Sequence, residues 1–474
     1  MISQDNGMFC AVSTPAGTSG IAVIRISGQN VSAVIDGAVR IIRSSGDYKR
    51  VSEMPGYTCC FADFNNPSDG SLIDKVVITR FEAPFSYTGD EMVEISCHGS
   101  AAVKKKILDV LYSLNIRSAG PGEFTKTAFM NGKMSLTSAE AVMDIISADS
   151  SEMLRAANVI SAGGLNEKLE EIESSLYDMM ARIEMDVDFD DDESEEYGAS
   201  RCCRETLSEV LVKIDGITDT YRQGRMLSEK MRVAFTGIPN SGKSTLLNRI
   251  AGYDRSIVTD ISGTTTDTIE AVSEIEGIPV ILTDTAGIRQ TSNIIESMGV
   301  DRARKEYGRS DLIFYLVSPD TTVEQARDQI HDIRAMAPSD SEAVILFNKA
   351  DIGPNPHEEQ IRLAARGYGV EKFINISAST GENTAEVRKA IKDHYDSMGS
   401  SGGELILTSR RHYEILSRAS ARLREALKAL EDNAGLDVVS SITRAALDLT
   451  GEISGKTVSA DLARTIFDKF CIGK

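Results

Sequence analysis

Apolar and polar positions change rhythm several times along this 474-residue chain, and each change predicts a different kind of element. Over the first 130 residues, short β-rich apolar runs (Gly20–Ile26, Tyr57–Phe64, Lys75–Phe81 and Met92–Cys97) alternate with helical stretches near 31–43 and 101–114. That mixture predicts an α+β domain. From Ser138 the texture turns helical: Leu165, Leu169, Ile172, Leu176, Met179 and Ile183 recur at three- and four-residue steps and form one apolar stripe. The acidic run Asp186–Glu196 closes that segment as a solvated loop or helix end.

Residues 231–395 alternate short apolar runs (Arg232–Thr236, Val280–Thr283, Leu312–Val317 and Val344–Asn348) with helices, the pattern of a parallel, doubly wound sheet. A glycine and serine break at Gly399–Gly403 follows, and then a second helical stripe of Ile415, Ala419, Leu423, Leu427 and Leu430. Like texture on both sides predicts an α/β unit inserted between two halves of one helical domain. The expected fold is multidomain, α/β and α, with domains at 1–130, 131–230, 231–395 and 396–474.

Composition adds little to this. A hydrophobic content of 41% and a charged content of 26% are ordinary for a globular protein. The start of the chain shows no basic stretch followed by an apolar run, and no window approaches a membrane span, so a cytoplasmic protein without a membrane partner is expected. Seven cysteines, an odd count without a CxxC pair, argue against a disulfide framework and a zinc ribbon. The net charge of −20 argues at first against nucleic acid. Screening over roughly 8 Å still leaves room for a local basic patch to bind RNA. Lys104–Lys106 and the cluster Arg410, Arg411, Arg418 and Arg422 are candidates, although solvated helix faces explain them equally well.

The chemistry is concentrated in four elements. Gly237–Ile238–Pro239–Asn240–Ser241–Gly242–Lys243–Ser244 is a GxxxxGK[ST] loop between an apolar run and the helical run that opens with Thr245. Its backbone N–H groups can face phosphate oxygens, Lys243 supplies a point charge to the β- and γ-phosphates, and the Ser244 hydroxyl suits Mg²⁺. Asp284–Thr285–Ala286–Gly287 ends a second strand, where an aspartate can reach Mg²⁺ through water and a glycine N–H can sense the γ-phosphate. Asn348–Lys349–Ala350–Asp351 resembles the guanine-specifying NKxD of GTPases, in which the carboxylate accepts from guanine N1 and N2 hydrogens that adenine lacks. Ser377–Ala378 resembles the element that supports guanine O6. The expected ligands are therefore GTP and Mg²⁺. The residue after Gly287 is Ile288, which cannot orient water as the glutamine of many regulatory GTPases does.

The stretch Thr259–Asp260–Ile261–Ser262–Gly263–Thr264–Thr265–Thr266–Asp267 resembles switch I of the MnmE (TrmE) family of tRNA modification GTPases, and Asn240 fits the same family. The resemblance extends through TPAGTSGIAVIRISG, PFSYTGDEMVEISCHG and AGPGEFTKTAFMNGKMSLTSAEAV to the terminal Cys471–Ile472–Gly473–Lys474. It implies an N-terminal domain of folate-binding type, a helical domain and an inserted Ras-like P-loop GTPase domain. It also implies a homodimer whose two GTPase domains meet face to face, with K⁺ in the place of an arginine finger. By position, Asn240, Thr264 and the backbone of Thr259 and Ile261 hold that ion, Thr265 joins Ser244 on Mg²⁺, and Glu296 orients the attacking water. Thr266 stands where the family usually has arginine.

In the N-terminal domain the resemblance places Arg25, Glu94, Lys133 and the terminal Lys474 on a tetrahydrofolate derivative, 5-formyl- or 5,10-methylene-tetrahydrofolate. Cys471 is either a nucleophile toward uracil or a packed thiol. The family works with a flavoprotein, MnmG (GidA), in a heterotetramer or larger complex. Together they add a carboxymethylaminomethyl or aminomethyl group to carbon 5 of the tRNA wobble uridine. The rival reading is a ribosome-assembly or regulatory GTPase without modification chemistry. It has no use for the folate-type domain, and no GXXG loop in an RNA-binding context stands out.

Overall fold

The computed structural model describes residues 7–44, 46–188, 193–252, 270–284, 306–339, 341–398, 405–457 and 460–473. Two compact units divide the chain: Met1–Met143, Ser161–Glu170 and Asp448–Lys474 form one, and Asp144–Ile160 with Glu171–Leu447 form the other.

In the first unit the sheet runs β3-β4-β5-β6-β2-β1-β7. Its strands are β1 (Phe9–Val12), β2 (Ser19–Ser27), β3 (Val39–Ser44), β4 (Thr58–Asn65), β5 (Leu72–Phe81), β6 (Met92–Gly99) and β7 (Arg117–Ser118). Alternation sends Ile24, Ile26, Ile78 and Ile95 to one face, where they meet Ile107 and Leu111 of the helix Ala101–Ser113. The expected helix over 31–43 is a correction. Helix covers only Val31–Ile35, a short 3₁₀ turn spans Asp36–Ala38, and Val39–Ser44 is an edge strand. Gly37 disfavours continued helix, and the β-branched Val39, Ile41 and Ile42 suit a strand whose exposed arginines blunt the edge. The short β1 and β7 also lie outside the expected strands. The helices Leu136–Ser147 and Ala460–Phe467 share a core of Leu136, Ala139, Ala463, Ile466, Phe467 and Phe470, which brings the end of the chain onto this unit.

The second unit holds the sheet β13-β12-β11-β8-β10-β9. Its strands are β8 (Met231–Gly237), β9 (Glu270–Ile275), β10 (Ile278–Asp284), β11 (Leu312–Val317), β12 (Glu342–Phe347) and β13 (Lys372–Asn375). All neighbouring pairs are parallel except β9 with β10. β10 and β11 are fully buried, as expected for a sheet covered on both faces. The chain moves from β8 to β10 on one side and to β11 on the other, so the strand order switches beside the carboxyl end of β8. Open α/β sheets bind ligands at such a point.

Leu246 and Ile250 of the helix Lys243–Ala251 and Val387 and Ile391 of the helix Thr384–Ser397 share the core of this sheet. The six predicted stripe residues from Leu165 to Ile183 are all buried along the helix Gly164–Asp188. Of the second stripe, Ile415, Ala419, Leu423 and Leu430 are buried on the helix Arg410–Glu431, and Leu427 is half-buried. This helix lies along Glu193–Asp219, where Ser420 Oγ and Arg424 Nη2 donate to Asp215 at 2.8 and 2.7 Å. The acidic run is helical up to Asp188 and again from Glu193. The glycine and serine break at 399–403 lies outside the described residues. Among the described residues, no helix is long and apolar enough to cross a membrane.

The helix Tyr221–Ser228 leads directly into β8 and presses on the segment around Leu407. At Gly224 a β-carbon would collide with the Leu407 backbone carbonyl. Gly224→Ala is therefore expected to destabilise this unit by about 1–3 kcal/mol, since neither backbone can yield cheaply. Urea unfolding of the full chain checks this, with an unchanged midpoint as the contrary result.

Candidate functional site

The phosphate-loop sequence occupies the switch point. β8 ends at Gly237, and the helix Lys243–Ala251 starts after Gly242, whose φ of 96° suits glycine. A β-carbon on Gly242 would overlap the Asn348 side-chain amide, so the residue also leaves room for a neighbour. Asn240 takes a left-handed φ of 62°, a conformation asparagine tolerates. Lys243 is buried, and its ammonium donates to the carbonyls of Gly237 and Ile238 at 3.0 and 2.7 Å. Its charge is thus held over the concave side of the loop. Thr245 is exposed on the helix.

Two further strand ends converge here. Ser244 Oγ donates to Asp284 Oδ2 at 2.7 Å, joining the helix start to the last residue of β10. The hydroxyl and carboxylate together offer hard oxygen donors of the kind Mg²⁺ takes. Asn348, buried after β12, donates from Nδ2 to the Ser241 carbonyl at 2.6 Å. Its Oδ1 accepts the Ala378 N–H at 2.9 Å. One amide therefore fastens the loop after β8 to the loop after β13.

The carboxylate of Asp351 is held from below. Ser377 Oγ donates to Oδ1 at 2.6 Å and Ser379 Oγ donates to Oδ2 at 3.3 Å. The Ser377 hydroxyl is the main reason that Asp351 titrates below the usual carboxylate range, and the ionised acceptor is the favoured form. Lys349 between them has a left-handed φ of 67°. The motif reading did not find Arg249, which donates from Nε to Ala378 O at 2.9 Å and from Nη2 to Ser379 O at 2.6 Å. It also missed Ser379. Neither belongs to a spacing pattern, and only the fold brings them to the site.

Thr259, Asp260, Ile261, Ser262, Gly263, Thr264, Thr265, Thr285, Ala286, Gly287 and Glu296 lie outside the described residues, as does Lys474.

The first unit gathers the other candidates. Arg25 Nε and Glu94 Oε1 form an ion pair at 2.7 Å from opposed positions of β2 and β6. The Arg25 guanidinium lies 5.9 Å from the Tyr87 ring centre. Lys133 is exposed and donates from Nζ to the Pro84 carbonyl at 2.9 Å, and Asn131 Nδ2 donates to Thr88 O at 2.8 Å. The segment 84–89 therefore links Arg25 to Lys133. The chain end docks on the same unit: the Cys471 carbonyl accepts Gly122 N–H at 3.3 Å, Ile472 bridges Pro121, and the Gly473 carbonyl accepts Ser13 Oγ at 3.0 Å. In β1, two residues before Ser13, Ala11 pairs with Arg25. Cys471 is exposed, whereas burial pushes the Cys10 thiol up to about 12 and those of Cys60 and Cys97 up to about 11.

Residues 136–471 match the family model described as MnmE helical domain, and residues 8–133 match that described as GTP-binding protein TrmE N-terminus. A protein of Caldicellulosiruptor saccharolyticus called tRNA modification GTPase MnmE is 38% identical over 468 residues, 98% of this chain and 99% of that one. Proteins of the same name from Chlorobium phaeobacteroides and Acetivibrio thermocellus are 36% and 34% identical, each across 98% of this chain and 97% and 99% of their own lengths.

Because the Ser377 hydroxyl stabilises the ionised carboxylate, any stability it lends is present above the ordinary carboxylate range and lost as pH falls through the lowered pKa. Ser377→Ala should move the Asp351 midpoint upward, toward the ordinary value. Carboxyl ¹³C NMR titration, with the signal assigned by its loss in Asp351→Asn, reads this directly, and an unmoved midpoint contradicts it.

Proposed function

We propose, because this chain belongs to the MnmE family of tRNA modification GTPases, that it hydrolyses GTP to drive modification of the tRNA wobble uridine at carbon 5. The observation that carries the reading is the Asn348 tie, which holds a phosphate-type loop and an acidic base-recognition loop in one register.

Each residue then has a task. Asp351, ionised and backed by Ser377, accepts the guanine N1 and N2 hydrogens, and the Ser377–Ala378 element supports O6. Lys243 exchanges its loop carbonyls for phosphate oxygens while the N–H groups of Asn240–Ser244 line the same anion. Ser244, with Thr265, would hold Mg²⁺, and Asp284 would reach it through water; bound there, the ion neutralises phosphate charge. Asn240, Thr264 and the backbone of Thr259 and Ile261 would hold K⁺ when two GTPase domains of a homodimer meet, which answers the missing glutamine at Ile288. Glu296 orients the water. The GTPase domain, inserted at 231–395 between halves of a helical domain, opens and closes with the nucleotide state.

In the first unit, Arg25, Glu94, Lys133 and Lys474 would hold the tetrahydrofolate derivative. The donor set fits that ligand: guanidinium and ammonium groups suit its carboxylates, and a carboxylate suits the N–H edge of a pterin. When bound, the folate supplies a one-carbon unit, and glycine or ammonium supplies the amine. Cys471 is the exposed thiol on the docked tail and so the candidate for direct contact with the uracil ring. The flavoprotein MnmG (GidA) joins in a heterotetramer or larger complex, in the cytoplasm.

GTP hydrolysis by the full chain is expected to run about tenfold or more faster in KCl than in NaCl at equal ionic strength, because the ion stabilises charge that no side chain covers. Equal rates in the two salts would remove the monovalent ion from the account.

A further inference from the structure

The end of the second sheet opposite Gly237, Asp284 and Asn348 carries a separate cleft of about 310 Å³. One wall is the segment that enters β8, with Arg222, Arg225, Lys230 and Arg232; the other is the turn before β11, with Arg309 and Asp311. Ser341, just before β12, closes it.

Five cationic side chains line this cleft, against the carboxylates of Glu229 and Asp311, in a chain whose net charge is −20. Partial neutralisation comes from Asp311, 3.3 Å from Arg225, from Asp149 on Lys230, and from Glu306, 4.0 Å from Arg232, and Arg222 is engaged as well. Asp311 is also committed to the backbone, since its Oδ2 accepts the Arg232 N–H at 2.9 Å. Arg309 is exposed, and no ion pair or side-chain hydrogen bond engages its guanidinium among the described residues. Like charges gathered in a small cleft are costly. One kind of ligand relieves this: an oxyanion, which takes the paired N–H groups of a guanidinium such as that of Arg309.

We propose that this cleft is a phosphate-binding site separate from the nucleotide site, taking a phosphate group that is either free or part of an RNA backbone. Its walls belong to the strand-entry segment 222–232 and to the turn 308–311, so an occupant braces the lead-in helix against the sheet. The RNA source rests on the function proposed above; the site itself does not.

The test uses the full chain with its nucleotide site saturated by a non-hydrolysable GTP analogue, so that Lys243 cannot report. Inorganic phosphate is titrated by calorimetry and bulk tRNA by fluorescence anisotropy, for the wild type and for Arg309→Glu. Retained nucleotide affinity shows that the variant is folded. The proposal predicts that the variant loses phosphate heat. If RNA is the source, tRNA binding also weakens about tenfold and its salt slope falls by about one. Lost phosphate heat with unchanged tRNA binding assigns the site to the free anion. A wild type that binds phosphate but no tRNA would count against the tRNA reading while leaving the site standing. Wild-type and variant proteins that behave alike toward both probes overturn the proposal.

Discussion

One buried amide joins the parts of the proposed nucleotide site. Asn348 donates to the Ser241 carbonyl and accepts from the Ala378 N–H, so the loops after β8 and β13 cannot move independently without leaving a buried polar group unpaired. Such a group costs about 1–3 kcal/mol, enough to hold loop geometry that short backbone segments would not keep alone. The amide fits because position 242 is glycine, whose missing side chain is where the asparagine sits. Arg249 adds a second fastening from the helix that follows the phosphate loop. A rigid frame of this kind lets a loop contact a phosphate and a carboxylate read a base as parts of one recognition event.

The same economy of parts appears in the first unit. The chain end is not left loose: Phe467 and Phe470 pack beside Leu136, and hydrogen bonds from the Gly122 N–H and the Ser13 hydroxyl then hold the carbonyls of Cys471 and Gly473. An exposed thiol on a docked tail differs in kind from Cys10, Cys60 and Cys97, whose burial disfavours the thiolate.

Much of this was legible from residue order, and the reasons are physical. A buried parallel strand reads as an apolar run, so β10 and β11 stand out, and a helix stripe such as Leu165 to Ile183 repeats at the helical period. Glycines and a lysine at fixed offsets mark the loop of 237–244 because the backbone there has few alternatives. Less legible were the short β1 and β7, too brief to show a period, and the edge strand Val39–Ser44, whose apolar residues follow a helix with only the turn Asp36–Ala38 between. Arg249 and Ser379 were hidden for another reason: their roles arise from where the sheet places two distant loops, and no local spacing encodes that.

What the whole account requires is that Asp351 reads guanine while Asn348 keeps it in line with the phosphate loop. The most direct measurement is calorimetry of GTP and xanthosine triphosphate with the wild type and with Asp351→Asn in the full chain. Replacing the carboxylate by an amide should exchange an acceptor for a donor and move preference from guanine to xanthine. Unchanged GTP affinity in the variant, with xanthosine triphosphate still rejected, would contradict it.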